Sequence, residues 1–352
     1  MIPNKLFWKD KKVLITGHTG FKGSWLSLYL NNLGTELYGV SREEYEGIYK
    51  IVNLKQIFKK EYFIDLGTTE LIELSKIMQE VKPDIVFHFA AQSLVYKGYS
   101  APRDTLFSNI IATHNILESV SNVETTKSII ISTTDKVYEN PDFDNTENAP
   151  LGGKDYYSAS KVGVENIIKA FKNSNTEPNI SVVRSGNVIG GGDRAEKRLT
   201  TELLDSIISN NEFILRKPNS IRPWQYILDS IRGYLLVAEE SFSKRVSEVY
   251  NLNSKPNNKF NAEYLAKNII KNWQSPIKVV VSNEEIFKEV DTLIINSEKA
   301  KKILDWIPVV EIEEMILNVV NWEKHHLKNS SVEYSLNEIN KYQDSLVNFQ
   351  KK

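Results

Sequence analysis

The chain has 352 residues, 41% hydrophobic and 25% charged, a length beyond one ordinary core and a balance that excludes global disorder and fibrous repeats. With 44 basic against 45 acidic residues the net charge is −1, so its overall charge attracts neither nucleic acid nor an anionic membrane. The absence of cysteine excludes disulfides, thiolate metal sites and cysteine nucleophiles, and suits a reducing cytoplasm. The first residues, Met1 to Asp10, lack the apolar core of a signal peptide, and no apolar run is long enough to span a membrane. No pair among His18, His88, His114, His325 and His326 has H-E-x-x-H spacing, so no metal is expected.

In chain order, short apolar runs alternate with helical patterns. Val13-Leu14-Ile15 reads as a first strand, followed by a helix carrying Phe21, Trp25, Leu28, Tyr29 and Leu33 and stopped by Gly34. Further runs are Leu37 to Val40, Ile85 to Ala90, Ile129 to Ile131 and Ile180 to Val183. Helical patterns cover Thr105 to Val120 and Tyr157 to Phe171. Continuous apolar strands between helices predict an α/β protein, a doubly wound parallel sheet of Rossmann type with a smaller C-terminal substrate-binding region. The expected division is a dinucleotide-binding domain over residues 1–185, with 222–250 returning to it. A substrate region follows over 186–330, and a tail over 331–352. Gly190, Gly191 and Gly192 read as a mobile loop near a ligand or as a plain surface loop. The polar tail after Lys328 reads as an appended helix or a partly disordered segment.

The first strand leads into Gly17-His18-Thr19-Gly20-Phe21-Lys22-Gly23. The spacing G-x-x-G-x-x-G, after a strand and before a helix, allows a tight turn and close approach of a pyrophosphate to the helix N-terminus. At the end of the second run, where an acidic residue would read the ribose, stand Ser41 and Arg42. Arg42 could accommodate the 2′-phosphate of NADP or lie on a surface loop. Asp65, before Leu66, is a candidate for the adenine amino group or for a helix N-cap.

Tyr157 and Lys161 stand four residues apart, so one helical turn puts both on one face. An ammonium near the phenol would lower its pKa, and such a tyrosine can take a proton from a sugar hydroxyl. At the carboxyl end of the Ile129–Ile131 run lie Thr134, Asp135 and Lys136. Ligands sit at such strand ends, and these three groups suggest proton chemistry beyond simple oxidation, or a helix cap beside a solvated lysine.

These motifs resemble the extended short-chain dehydrogenase/reductase family, in its sugar-nucleotide dehydratase branch. The segments carrying the resemblance are V-L-I-T-G-H-T-G-F-K-G-S-W-L-S, F-H-F-A-A-Q-S-L-V, T-T-D-K-V-Y-E-N, P-L-G-G-K-D-Y-Y-S-A-S-K, R-S-G-N-V-I-G-G-G-D, I-R-P-W-Q-Y and S-E-K-A-K-K-I-L-D-W-I-P. The resemblance implies bound NAD rather than NADP, held by the glycine turn with Arg42, Asp65, Leu66, Ala90, Ala91, Asn109, Tyr157 and Lys161. It implies a nucleotide-sugar substrate, a CDP-linked glucose, contacted by Gln92, Ser93, Asn187 and Arg222. Tyr157 would take the C4 hydroxyl proton, with Thr134 beside it and Lys161 on the nicotinamide ribose. Lys136, where relatives place a glutamate, would be the base at C5, and Asp135 the acid at C6. The product would be a 4-keto-6-deoxy sugar nucleotide, a precursor for surface polysaccharide, made by a homodimer or higher homo-oligomer.

Four departures from the family pattern stand out. Tyr96 replaces an arginine, Arg194 a tryptophan, the stretch from Asn140 to Glu147 is short, and W-N-F-G-P becomes Tyr250-Asn251-Leu252-Asn253-Ser254. Three of them fall where the substrate pocket or its rim is expected. A 4-epimerase would need Tyr157 and Lys161 but neither a C5 base nor a C6 acid, so the Asp135-Lys136 pair favours dehydration. A nucleotide-sensing scaffold would not require Tyr157, Lys161 and the whole glycine motif.

Overall fold

The computed structural model describes residues 1–121, 123–254, 260–282 and 293–350. Its strands in chain order are β1 (Lys12–Thr16), β2 (Glu36–Ser41), β3 (Phe58–Phe63), β4 (Ile85–His88), β5 (Ser128–Ser132), β6 (Asn179–Ser185), β7 (Val188–Ile189), β8 (Phe213–Arg216), β9 (Gln225–Tyr226), β10 (Val249–Leu252) and β11 (Val279–Ser282). Seven of them form one parallel sheet in the order β10-β6-β5-β4-β1-β2-β3. The remaining strands form two short parallel pairs, β7 with β9 and β8 with β11.

The apolar runs are continuous because both sheet faces are covered. Val13 and Ile15 join the core containing Trp25 and Leu28 of helix Phe21–Asn32 and Leu235 of helix Ile227–Lys244. Leu14, between them, points the other way. It packs with Leu74, Ile116 and Val164 of helices Leu71–Val81, Ala112–Ser121 and Tyr156–Ser174. Between Leu106 and Ala112 the chain stays helical through a π turn, Phe107–Ile111. The order of strands reverses at β1, which lies between β4 and β2, and such a switch point opens a crevice at the strands' carboxyl ends.

Two strands of the seven-stranded sheet have no counterpart among the apolar runs. β3 is an edge strand with Lys59 and Lys60 exposed, and β10 spans only four residues. A mobile loop at Gly190–Gly192 is corrected. The three glycines are buried, and a Cβ on Gly191 would stand 2.2 Å from Trp322 Cγ. Trp25 Nε1 donates to Gly191 O at 3.0 Å, and Gly192 N to Glu323 Oε1 at 2.9 Å, so these glycines serve close packing. The tail is the helix Val332–Gln350, docked through Ser335, Ile339, Tyr342 and Leu346. Tyr342 Oη donates to the buried Asp229 at 2.7 Å and accepts from Arg232 Nε at 2.8 Å.

Candidate active site

Above the strand switch point lies a cleft of about 1310 Å³. It is larger than the few hundred to about 1,000 Å³ of a single small-molecule site, so it has room for two extended ligands. Its floor is the glycine turn. Gly17 has φ +72°, and a Cβ there would collide with Ala90 N at 2.7 Å. A Cβ on Gly20 would meet only Gly17 O at 3.3 Å, so that face of the turn is open toward the cleft. A Cβ on Gly23 would stand 2.1 Å from Gly17 O, so only glycine fits there. The turn is tied to the end of β2 through buried His18. Its Nδ1 bonds Ser41 Oγ at 2.9 Å and its Nε2 bonds Glu61 Oε1 at 2.8 Å. Thr19 Oγ1 donates to Glu43 O at 2.8 Å, and Phe21 begins the helix.

Arg42 faces two carboxylates, Asp65 at 3.8 Å and Glu43 at 3.9 Å. Asp65 also accepts from Gly67 N at 2.9 Å; the helix that follows begins only after Glu70, so Asp65 is not its N-cap. Leu66, Ala90 and Ala91 line the same wall. The end of β4 is held by His88, which bonds Thr16 Oγ1 at 2.7 Å and Thr113 Oγ1 at 3.0 Å. Burial lowers His88 to about 3, so it is a neutral strut. Asn109 does not reach the cleft. It is buried behind the wall, bonding Gln92 N and O and Ser160 Oγ, and so ties the Gln92 loop to the Tyr157 helix. Gln92 lines the cleft, but its amide serves Thr105 and Leu94 N. Ser93, Asn187 and Arg222 line it too.

The Tyr157 helix starts at an Asp155 cap, whose Oδ1 accepts from Ser158 N at 3.0 Å, and this fixes Tyr157 in the first turn. Lys161 Nζ donates to Ser132 O at 3.1 Å. The expected lowering of the phenol by Lys161 is corrected. Burial pushes Tyr157 up to about 12 and outweighs the nearby Thr134 hydroxyl and the charge of Arg198, which both favour the phenolate. Burial also lowers Lys161 to about 8. Beyond the end of β5, Thr134 Oγ1 donates to Asp135 Oδ1 at 3.1 Å and caps a short 3₁₀ turn by accepting from Lys136 N. Lys136 Nζ lies 3.7 Å from the same Asp135 oxygen. Thr134, Asp135, Lys136, Tyr157 and Lys161 thus share one cleft.

The cations in this cleft that were not singled out from the sequence include Arg198 and Lys22. Arg198 pairs with Asp193 at 2.7 Å. Lys22 lies in the glycine turn, with Nζ 5.7 Å from the Tyr234 ring centroid, and burial lowers it to about 7. A lysine inside the glycine motif was the available signal for Lys22; Arg198 had none. The departures from the family pattern have local causes. Arg194 makes a two-pronged pair with buried Glu323, at 2.9 and 2.6 Å. Tyr96 donates to Glu196 under the Lys197 ammonium. The short Asn140–Glu147 stretch and the Tyr250–Ser254 segment hold each other. Asn251 N donates to Glu147 Oε1 and Asn251 Nδ2 to Asn145 O, both at 2.9 Å.

The sequence profile of the GDP-mannose 4,6 dehydratase family matches residues 14–319. The chain belongs to this family. Among relatives of this family member, the CDP-glucose 4,6-dehydratase of Salmonella typhimurium is 35% identical over 335 residues, 91% of this chain and 92% of the relative. The dTDP-glucose 4,6-dehydratase 1 of Escherichia coli is 25% identical, covering 88% and 92%. The fold is shared with the UDP-glucose 4-epimerase of Thermotoga maritima, at TM-score 0.79 and 22% identity over 90% of this chain and 99% of that one. It is also shared with an NAD-dependent NDP-hexosamine 5,6-dehydratase of tunicamycin biosynthesis, at TM-score 0.76 and 21% identity over 89% and 97%.

Proposed function

We propose that the protein is a CDP-glucose 4,6-dehydratase that works with bound NAD. The observation that carries this is the Thr134-Asp135-Lys136 constellation, an acid and an amine 3.7 Å apart in the cleft of Tyr157 and Lys161, in a chain 35% identical to an enzyme of that name. An epimerase has no use for that pair.

The open face of Gly20 and the N-terminus of helix Phe21–Asn32 suit a pyrophosphate, so Gly17 to Gly23 with Asp65, Leu66, Ala90 and Ala91 would hold the dinucleotide. The carboxylates of Asp65 and Glu43 beside Arg42 would repel a 2′-phosphate, which favours NAD over NADP. Nicotinamide bound there supplies reversible hydride exchange, so the cycle consumes no reductant. Lys161 would hold the nicotinamide ribose. Tyr157 accepts the C4 hydroxyl proton, and the Thr134 hydroxyl favours the phenolate. The resulting 4-keto group acidifies the proton at C5. With the proton that the pair shares on Asp135, the neutral Lys136 amine would remove the C5 proton while the Asp135 carboxylic acid protonates the departing C6 hydroxyl, and water is lost across C5–C6. Reduction at C6 and return of the proton to C5 complete the 4-keto-6-deoxy sugar. Arg222, Arg198 and Asn187 offer cationic and amide partners for the substrate diphosphate. The exposed side chains of Leu106, Phe107 and Ile111 along one helical run support a homodimer, and the cysteine-free composition supports a cytoplasmic location.

Purified protein incubated with a panel of nucleotide sugars tests the reading. CDP-glucose is expected to lose one water; an epimerised sugar of unchanged mass would replace this reading with a 4-epimerase. Denaturation of the protein is expected to release NAD, and NADP alone would make Arg42 a 2′-phosphate ligand.

A further inference from the structure

The carboxyl group of Asp135 has two unlike sides. Its Oδ1 receives the Thr134 hydroxyl and faces the Lys136 ammonium. Its Oδ2 is buried with no hydrogen-bond partner among the described residues. The side chain of Asn253, 3% exposed, is in the same condition, with both Oδ1 and Nδ2 buried and unpartnered. These three atoms converge on one point. A Cβ built on Gly186 would lie 2.6 Å from Asp135 Oδ2, 2.7 Å from Asn253 Nδ2 and 2.9 Å from Asn253 Oδ1. Asp135 and Asn253 therefore face each other across the space that Gly186 leaves free.

Unsatisfied buried polar atoms cost roughly 1–3 kcal/mol each, and three at one point call for an explanation. A carboxyl group acting as a proton donor alternates between two forms, each needing an opposite partner. The ionised form needs a donor and the neutral acid an acceptor. Among side chains of this size a primary amide offers both, one on each end, and a rotation exchanges them. An ammonium or guanidinium in its place would fix the ionised form. Asn253 is also firmly mounted, since its N donates to Ser297 Oγ at 3.1 Å and its O accepts from the same hydroxyl at 3.3 Å. Next to it, Leu252 is in register with Ser185, the neighbour of Gly186. Asn253 stands at the glycine of the W-N-F-G-P pattern that the resemblance gives for Tyr250 to Ser254.

We propose that Asn253 is a positioning residue for Asp135, holding the carboxyl group in both protonation states through turnover, with Gly186 providing the space between them. This rests on the reading of Asp135 as the acid at C6. The test uses dinucleotide-loaded enzyme with CDP-glucose and follows product release, reduced-nicotinamide absorbance and the pH profile of kcat. In Asn253→Leu and Asn253→Gly, product release is expected to fall roughly tenfold to hundredfold. Reduced nicotinamide should build up, and KM should stay within about twofold of the parent. Asn253→Asp places a second carboxylate against the acid, so the basic limb of the kcat profile is expected to move up by about one pH unit or more. The glycine variant, the family's own residue, decides the matter if the leucine variant does not fold. Parent-like product release and an unshifted pH profile in the folded variants would overturn the proposal. Asp135→Asn separates the two levels. If it blocks water loss while the Asn253 variants do not, the positioning role fails alone; if it releases product at the parent rate, the assignment of the acid fails with it.

Discussion

Tyr157 stands in a corner of the cleft where burial, not its lysine neighbour, sets its proton affinity. Lys161 is aimed at Ser132 O, and Thr134 is the hydroxyl that favours the phenolate. Replacing the phenol by a phenyl ring keeps the packing and removes the proton acceptor. Tyr157→Phe is therefore expected to lower turnover by roughly two to four orders of magnitude, the range of a general base, measured as product release from the substrate. Near-parent turnover would take Tyr157 out of the mechanism. The residue types of this site were legible because each carries chemistry that its spacing restricts: a Y-x-x-x-K pair, a strand-end T-D-K, a glycine turn. The roles of Asn109 and Gln92 were not. Gln92 lies on a loop and Asn109 in the π turn, and only the fold reveals that Asn109 faces Ser160 and that Gln92 spends its amide on Thr105 and Leu94 N.

At the scale of elements, the chain positions its site by packing two unlike surfaces on one sheet. Helix Ile312–Lys328 brings Trp322 and Glu323 against Gly191 and Gly192. This contact fixes the segment from Gly190 to Arg194 that leads into the cleft. Gly191→Ala would drive a methyl group to within 2.2 Å of Trp322 Cγ. A loss of roughly 1–3 kcal/mol of stability is expected, read from thermal or denaturant unfolding, and an unchanged melting temperature would mean that the indole ring gives way. Three consecutive glycines suggest flexibility from composition alone; their large partner is more than 120 residues away, beyond the reach of local pattern. The same limit hid β3. Its run Phe58-Lys59-Lys60-Glu61-Tyr62-Phe63 is polar because it forms the sheet's edge, whereas the interior strands announced themselves by being apolar on both faces.

Across the whole molecule, the C-terminal helix binds segments far from it in the chain. Asn340 Oδ1 accepts from Asn32 at 2.9 Å, and Glu338 accepts from Tyr226. Glu338 Oε2 is buried without a partner among the described residues, and burial raises this carboxyl to about 7. The folded chain keeps a proton that the unfolded chain releases above about pH 4.5. Its contribution to stability is full at low pH and is lost as pH rises to about 7. Glu338→Gln keeps the hydrogen bond from Tyr226 without the titration. Its melting temperature is expected to match the parent's near pH 4.5 and to exceed it by roughly a few degrees at pH 8. An identical pH dependence in the two proteins would exclude Glu338 as the source.

The central claim is that Asp135 and Lys136 carry out the loss of water, and one variant isolates it. In Asp135→Asn, Lys136→Met, Asn keeps the shape of the acid and Met the stem of the amine, while Tyr157, Lys161 and Thr134 are untouched. Given CDP-glucose, this variant is expected to accumulate reduced-nicotinamide absorbance, to release no 4-keto-6-deoxy product and to exchange no deuterium at C5. Release of that product at the parent rate would contradict the account and place the acid and base of the dehydration elsewhere in the cleft.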